Sequence, residues 1–371
     1  MTDELYMRRA LVLARRGEGW VSPNPMVGAV IVKEGRIIGD GYHARFGGAH
    51  AEVNAIRRAS EGQGAAGATV YVTLEPCSHF GKTPPCVDML IASKVARVVI
   101  GTSDPNPLVS GNGIQALREH GIETAVGILE DRCRELNERF FKFIATRLPF
   151  VTLKFAETLD GRIAAATGDS RWISSPASRT FSHRLRALHD GILVGVGTVL
   201  RDDPDLTCRL VRGRNPLRIV VDSELRIPPE ARLLKDQERA KTIVVCTPRA
   251  SPEKISRLGG AGIETTVIDP EGSGRVDMAK LFVELGRRGL SSVLVEGGRE
   301  IITSVLRAGL ADRLVVIIAP KIVGKGIEAV GEIGIGRMDD ALLVSVRRIM
   351  RKGVDLIIDG RISRSQSGGL P

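Results

Sequence analysis

The sequence predicts an α/β protein made of two layered domains in succession. Short apolar runs of strand length alternate along the chain with amphipathic stretches of helix length. At 371 residues the chain is long for one core, and its 43% of apolar residues is enough for two. A proline-marked break at Arg147-Leu148-Pro149 coincides with a change in charge balance. Residues 1–146 carry 17 Lys/Arg against 16 Asp/Glu, whereas residues 147–371 carry 36 against 27. These observations place domains at 1–146 and 147–362, followed by a polar, Gly/Ser-rich tail at 363–371 that is expected to be disordered.

Asp3 to Arg16 is patterned as an amphipathic helix that stops at Gly17. Its leucines are interrupted by Arg8, Arg9, Arg15 and Arg16, unlike the continuous apolar stretch of a signal peptide. Ser22-Pro23-Asn24-Pro25 reads as a rigid loop. Strands at Met26–Val32 and Ile37–Gly41 flank a turn at Lys33-Glu34-Gly35-Arg36. A helix from His50 to Ser60 follows, then strand Thr69–Leu74, helix Cys86–Ser93 and strand Arg97–Gly101. Helix Gly113–His120, strand Ile122–Val126 and a longer helix Glu130–Thr146 complete the first domain. In the second, strands are expected at Val151–Ala156, Gly191–Val196, Arg218–Val221, Thr242–Cys246, Thr265–Ile268, Ser292–Val295 and Leu314–Ile318. Helices are expected near Pro176–Leu188, Met278–Gly286 and Ile301–Ala308, with a closing strand pair at Ala341–Met350 and Val354–Asp359. There is no internal repeat.

Composition narrows the function classes. No apolar run approaches the ~20 residues of a membrane span. Five cysteines are an odd and modest number. With two allotted to a metal, Cys133, Cys208 and Cys246 are expected as buried free thiols, which fits a reducing, cytoplasmic setting. The net charge of +10 lies almost wholly in the second half. Phosphate handling there is one reading, and a basic solvated surface accounts for most of the excess. Two Trp, three Tyr and nine Phe, with no basic-aromatic strip, argue against stacking on single-stranded nucleic acid.

One stretch carries chemistry. His50-Ala51-Glu52, Pro76-Cys77 and Pro85-Cys86 supply an imidazole, two thiols and a carboxyl group. A catalytic zinc site uses three N or S ligands and leaves the fourth position open. The set matches the H-x-E…P-C-x-x-C pattern of zinc-dependent base deaminases, except that eight residues separate Cys77 from Cys86. His50 and Glu52 can serve one point if the helix begins at His50, because side chains tilt toward the N-terminus. Each cysteine follows a proline, Cys86 at a helix start and Cys77 just after a strand, so each thiol is expected near the positive end of a helix dipole, which favours the thiolate. Zinc makes water a nucleophile near neutral pH, and Glu52 is placed to move its proton to a departing amine. A structural site would recruit a fourth protein ligand, and His43 and His79 lie near in sequence. Farther on, Val295-Glu296-Gly297-Gly298 reads as a strand running into paired glycines and an apolar helix, which can bring backbone N–H groups to a phosphate.

Longer motifs carry a resemblance. Residues 24–113 contain Asn24-Pro25-x-Val27-Gly28, Gly41-x-His43, His50-Ala51-Glu52, Glu75-Pro76-Cys77-Ser78-His79-x-Gly81-x-Thr83-Pro84-Pro85-Cys86 and Asp104-Pro105-Asn106-Pro107. Residues 154–209 contain Lys154-x-Ala156, Leu159-Asp160-Gly161-Arg162, Ser170-x-Trp172-Ile173 and Thr198-Val199-Leu200-x-Asp202-Asp203-Pro204-x-Leu206-Thr207-x-Arg209, and Glu296-Gly297-Gly298 follows. Over essentially its whole length the chain resembles the bifunctional deaminase/reductase family of bacterial riboflavin biosynthesis, in which the long Cys–Cys spacer is normal.

The resemblance implies a cytidine-deaminase-like first domain and a dihydrofolate-reductase-like second domain. The first would remove the 2-amino group of 2,5-diamino-6-(5-phosphoribosylamino)pyrimidin-4(3H)-one. The second would reduce the ribosyl chain of the product to ribityl with NADPH, giving 5-amino-6-(5-phosphoribitylamino)uracil. By matched position, His50, Cys77 and Cys86 would hold Zn2+, Glu52 would shuttle protons, and Asn24, His43, His79 and Lys82 would hold the substrate. Ala156, Trp172, Thr198, Asp202, Ser223 and the segment Gly298, Arg299, Glu300, Ile301, Ile302, Thr303 and Ser304 would contact NADPH. Ser170, Arg186, Leu206, Arg209 and Glu296 would contact the reductase substrate, with Lys154, Asp202 and Glu296 assisting catalysis. The sequence departs slightly at Glu157-Thr158, where many relatives have serine at the second position. The family also implies a homodimer or larger assembly paired through the reductase domain, and no nucleic-acid or membrane partner. Two rival readings stand beside it. One is a nucleic-acid base deaminase with a basic binding domain, and the other is a metal-stabilised scaffold without activity.

Overall fold

The computed structural model describes residues 2–78, 84–106 and 110–364. The chain forms two compact units, Met1–Arg147 and Leu148–Pro371. In the first unit the elements are α1 (Asp3–Ala14), β1 (Gly28–Lys33), β2 (Arg36–Tyr42), α2 (Ala51–Ser60), β3 (Thr69–Val72) and α3 (Cys86–Ala92). They are followed by β4 (Arg97–Ile100), α4 (Asn112–Glu119), β5 (Glu123–Val126), α5 (Glu130–Leu136) and α6 (Glu138–Thr146). The sheet runs β2-β1-β3-β4-β5. The pairs β1·β2 and β1·β3 are antiparallel, and β3·β4 and β4·β5 are parallel.

Period-two alternation sorts the strand side chains to two faces. Ala29, Ile31, Val70, Val72, Val98 and Ile100 pack with α2, α3 and α4. Val30, Val32, Tyr71 and Val99 pack with α1 and Cys133 of α5. Helix α2 lies close on β2 because a Cβ at Gly41 would fall 2.5 Å from the Ala51 carbonyl and 2.6 Å from the Ala55 nitrogen. The helix expected over Glu130–Thr146 is broken at Asn137, which adopts φ −108° and ψ 21°. The buried Asn137 side chain accepts from the Met26 N–H at 2.8 Å and donates to its carbonyl at 2.9 Å. That long-range pairing fixes the loop before β1 and overrides the local helical pattern.

The second unit contains β6 (Phe150–Thr158), β7 (Arg162–Ala165), α7 (Pro176–Ala187), β8 (Gly191–Gly195), α8 (Val196–Asp202), β9 (Leu217–Val221) and α9 (Arg232–Lys235). Next come β10 (Thr242–Cys246), α10 (Pro252–Gly260), β11 (Glu264–Val267), α11 (Met278–Arg287), β12 (Ser292–Val295) and α12 (Arg299–Arg307). The closing strands are β13 (Arg313–Ala319), β14 (Gly326–Glu328), β15 (Leu342–Lys352) and β16 (Asp355–Arg364). The nine-stranded sheet is ordered β11-β10-β9-β8-β12-β6-β13-β16-β15, and β7 pairs separately with β14. All its pairs are parallel except β13·β16 and β15·β16. Helices cover both faces, as a largely parallel sheet requires. One core holds Leu193, Ile219 and Val295 against α11 and α12. The other holds Ile192, Val220 and Val244 against α8, α9 and α10.

Two expectations need correction. The strand expected to reach Val196 stops at Gly195, and Val196 opens α8. The tail expected from residue 363 does not begin there, since Ser363 and Arg364 pair with Leu343 and Leu342. Residues 365–371 lie outside the described residues. Cys133, Cys208 and Cys246 are buried free thiols. Among the described residues no helix is long and apolar enough to cross a membrane.

Candidate active sites

His50 is the N-cap of α2, with extended backbone at φ −72° and ψ 167°, and Glu52 lies in the first turn. Cys77 follows β3, and Cys86 opens α3 directly after Pro85. The His50 Nδ1 lies 3.2 Å from Cys86 Sγ and 3.6 Å from Cys77 Sγ. One ligand atom from each of His50, Cys77 and Cys86 lies within 4.8 Å of the others. The Cys86 backbone N–H donates to Cys77 Sγ at 3.4 Å. Hydrogen bonding by Cys86, helped by His50, outweighs burial and lowers the Cys77 thiol to about 4. Sharing that proton, and burial, push Cys86 up. An N, S, S donor set at this spacing fits zinc.

The Glu52 side chain is buried beside the cluster, and burial, reinforced by Cys77, raises its carboxyl to about 7. His43 stacks edge-on against His50, with ring centroids 5.3 Å apart. Both its nitrogens are occupied, Nδ1 by the Ala49 carbonyl at 3.1 Å and Nε2 by Asn24 Nδ2 at 3.2 Å. His43 is thus a support for the cleft wall and does not act as a fourth ligand. Burial lowers its pKa, so the neutral ring accepts from Asn24 at Nε2. His79 and Lys82 lie outside the described residues.

These groups open on a cleft of about 410 Å3 lined by Asn24, His43, His50, Glu52, Glu75 and Cys77, among others. Glu75 was not singled out from sequence. Its buried carboxylate accepts backbone N–H bonds from Asp104 (3.2 Å), Gly111 (3.1 Å), Gly113 (3.1 Å) and Ile114 (3.4 Å). Two of those donors belong to the first turn of α4, where a carboxylate is favoured. Glu75 therefore holds the loop that brings Asp104 and Asn106 to the cleft. An acid immediately before the Pro-Cys of a ligand motif is the sequence signal that points to it.

The second unit has a cleft of about 810 Å3 at the C-terminal ends of its parallel strands, where open α/β sheets bind ligands. At its base the Arg186 Nε and Nη2 each donate to Glu296 at 2.9 Å, as a bidentate pair. Lys154 Nζ stands 3.6 Å from the same carboxylate. Burial alone would raise Glu296, but Arg186 and Lys154 hold it at about 2. Burial lowers Lys154. Burial and the charges of Arg186 and Arg209 lower the neighbouring His183 to about 4.

Beyond Glu296, Gly298 caps the N-terminus of α12. A Cβ at Gly298 would meet only Thr198 Oγ1 at 3.8 Å, and one at Gly197 would meet nothing within 4 Å. Bare backbone and free helix-start N–H groups thus face open space, a fit for the pyrophosphate of a dinucleotide.

Ala156, Ser170, Thr198, Asp202, Ser223, Gly298, Arg299, Glu300, Ile301 and Ser304 line this second cleft with Lys154 and Glu296. Other expected contacts are not among its lining residues. The side chains of Ile302 and Leu206 are packed in the cores. Thr303 is buried, donating to the Arg299 carbonyl at 2.7 Å and accepting from the Gly331 N–H at 2.8 Å. Arg209 pairs with Asp205 at 3.5 Å. Trp172 is 60% exposed, with the Arg179 guanidinium 4.4 Å from its ring centroid. Arg186, expected at the substrate, is spent on Glu296 and on the Thr207 carbonyl.

Residues 1–102 match the family model described as the cytidine and deoxycytidylate deaminase zinc-binding region, and residues 149–356 match the RibD C-terminal domain. With the two clefts, these define a deaminase joined to a reductase. Similarity extends along the full chain. The riboflavin biosynthesis protein RibD of Aquifex aeolicus (strain VF5) is 46% identical over 364 residues, covering 96% of this chain and 97% of that protein. That of Escherichia coli (strain K12) is 42% identical over 372 residues, covering 96% and 99%. The crystal structure of a diaminohydroxyphosphoribosylaminopyrimidine deaminase/5-amino-6-(5-phosphoribosylamino)uracil reductase from Thermotoga maritima superposes with a TM-score of 0.84 at 39% identity, covering 97% and 99%. Acinetobacter baumannii RibD, form 1, gives 0.85 at 34% identity, covering 98% and 99%. The chain belongs to the RibD family of riboflavin biosynthesis proteins. It is a bifunctional enzyme, a zinc-dependent hydrolase in the first unit and an NADPH-dependent oxidoreductase in the second.

Proposed function

We propose that the two clefts act in succession on one phosphoribosyl pyrimidine, and that the residues divide the work as follows. The first cleft takes 2,5-diamino-6-(5-phosphoribosylamino)pyrimidin-4(3H)-one. His50, Cys77 and Cys86 would hold zinc, which when bound supplies a Lewis acid that makes water nucleophilic near neutral pH. Glu52 takes a proton from the water that adds to the ring carbon and returns it to the departing amine, so ammonia leaves as a carbonyl forms. Asn24 and His43 position the ring, and Lys82 and His79 are assigned the phosphoribosyl arm. The triangle of donors within 4.8 Å, with the Glu52 carboxyl buried beside it, carries this reading.

In the second cleft NADPH supplies the hydride that converts the ribosyl group to ribityl. Gly298 and the first turn of α12, with Thr198, Asp202 and Ser223, orient the cofactor. Lys154 and Glu296 stand where the sugar ring opens, and Lys154, with its pKa lowered by burial, is suited to hand a proton to the oxygen that becomes the alcohol. Arg186 keeps Glu296 ionised and fixed.

The decisive experiment assays both half-reactions and metal content on one sample of the full-length protein. Glu52→Gln should retain zinc, lose ammonia release by about 100- to 10,000-fold, and keep NADPH oxidation with deaminated substrate. Near-normal ammonia release would remove the proton-shuttle role. Deamination of RNA or DNA with steep salt dependence would instead favour the nucleic-acid reading.

The assembly is assigned to pairing through the reductase unit. Its edge strand β15 and the turn beyond expose Leu343, Val346, Ile349 and Val354. Sedimentation of an Ile349→Lys variant should shift toward monomer. The three free, buried thiols support a cytoplasmic location.

A further inference from the structure

The second cleft has an end to which the chemistry above assigns only Ser223. Sheet order sets the C-terminal ends of β6, β12, β8, β9 and β10 side by side. Four inter-strand steps of ~4.8 Å spread them over about 19 Å. Lys154 lies on β6, Glu296 and the paired glycines follow β12, Ser223 follows β9, and Arg249 follows β10. If the cleft takes NADPH, this order fixes its direction. The hydride-bearing ring lies by Lys154 and Glu296, the pyrophosphate over the glycines and the start of α12, and the adenosine ribose at the β9–β10 end.

Three guanidinium groups, of Arg226, Arg249 and Arg275, line that end, against one further acid, Glu224. Arg275 is paired with Glu300 at 2.5 Å, and Arg226 lies 4.0 Å from Asp222. Arg249 has no carboxylate within ion-pair distance among the described residues. Its guanidinium rests on the bare backbone of Gly274, where φ is +79° and a Cβ would fall 2.5 Å from Nη1. Ser223 Oγ accepts from the Val276 N–H at 3.2 Å and keeps its own proton to donate. Thr247 Oγ1 donates to the Ser223 carbonyl at 2.9 Å and accepts from the Arg249 N–H at 3.4 Å, tying the two loops together.

Elsewhere among dinucleotide sites, a carboxylate near the end of a neighbouring strand takes the ribose 2′-hydroxyl of NAD, and an arginine takes the 2′-phosphate of NADP. Here Asp222, the residue that follows β9, is fully buried and turned into its own loop, accepting from the Ile227 N–H at 2.7 Å. The unmatched guanidinium and the free hydroxyl proton suit an anion.

We propose that Arg249, with Ser223 and Arg275, grips the 2′-phosphate of NADPH and sets the preference for the phosphorylated cofactor. This rests on the reductase reading of the cleft. Binding of NADPH, NADH, 2′-AMP and 5′-AMP to the full-length protein, measured by calorimetry without turnover, tests it. Arg249→Ala should weaken NADPH and 2′-AMP about 10- to 100-fold, the span of a lost charge-assisted hydrogen bond or two, and leave NADH and 5′-AMP as they were. Arg249→Lys should recover part of the loss. The side chain is exposed, so the thermal midpoint should not move. Equal losses for NADPH and NADH, or no loss for either, would overturn the proposal. A wild-type protein that binds neither dinucleotide would overturn the reductase reading itself, and the proposal with it.

Discussion

Arg186→Met tests whether the ion cluster under the reductase cleft is held together as described. The substitution keeps an unbranched stem in the core and removes both 2.9 Å donors to Glu296. The pair is well shielded, with side-chain exposures of 13% and 8%, so solvent screening takes little from it. Without Arg186 the carboxylate retains only Lys154 at 3.6 Å. Breaking one side of such a pair costs about 3–5 kcal/mol. The depressed pKa of Glu296 gives a second figure. Glu296 sits at about 2 in the folded state. From about 4.3 unfolded, at 1.36 kcal/mol per unit, this amounts to about 3 kcal/mol. Because the folded value is the depressed one, this stability is fully present above pH ~4.3 and is lost as pH falls toward about 2. The variant lacks most of it at every pH. In a Trp20→Phe background, Trp172 fluorescence reports urea unfolding of the second unit alone. The gap between parent and Arg186→Met should be about 3 kcal/mol at pH 7 and should narrow at pH 3.5. A gap below about 1 kcal/mol, the worth of an exposed pair, or one that does not change with pH, would refute the cluster.

Other substitutions probe what positions the zinc ligands. Gly41→Val should push α2 off β2 through its contact with the Ala51 carbonyl, so that metal content and ammonia release fall while NADPH oxidation persists. Glu75→Leu orphans four buried or half-buried N–H groups and should destabilise the first unit by about 3 kcal/mol or more in a denaturant titration. Arg218→Met strips donors from the carbonyls of Asp205 (3.4 Å), Asp236 (3.0 Å) and Ala240, and should lower the second unit's unfolding midpoint without changing zinc content. Chelation of the metal should abolish ammonia release and leave hydride transfer to the deaminated substrate intact.

The parts of this molecule that were legible in the sequence are those whose physics is local. Period-two runs such as Val70–Val72 and Ile192–Val194 face apolar surroundings on both sides, and each became a strand. His50, Glu52, Cys77 and Cys86 could be brought together because each is tied to a helix start or strand end within a few residues, which fixes its direction. What was not legible depends on partners far away in the chain. Asn137 breaks a helical pattern for the sake of Met26, 111 residues away. Arg186 is matched by resemblance to the substrate, and nothing local shows that Glu296, 110 residues on, takes its Nε and Nη2 donors. Gly195-Val196-Gly197 looks like strand, yet the glycine before Val196 lets α12 approach through Ile301, and the chain turns there into α8. The resemblance assigns Gly298 to Ser304 as one continuous contact, but a helix presents only part of its turn to any surface. Ile302 and Thr303 therefore face inward, while Arg299, Glu300, Ile301 and Ser304 reach the cleft. A motif marks the element that meets a ligand, and helical geometry then selects which of its residues can touch it.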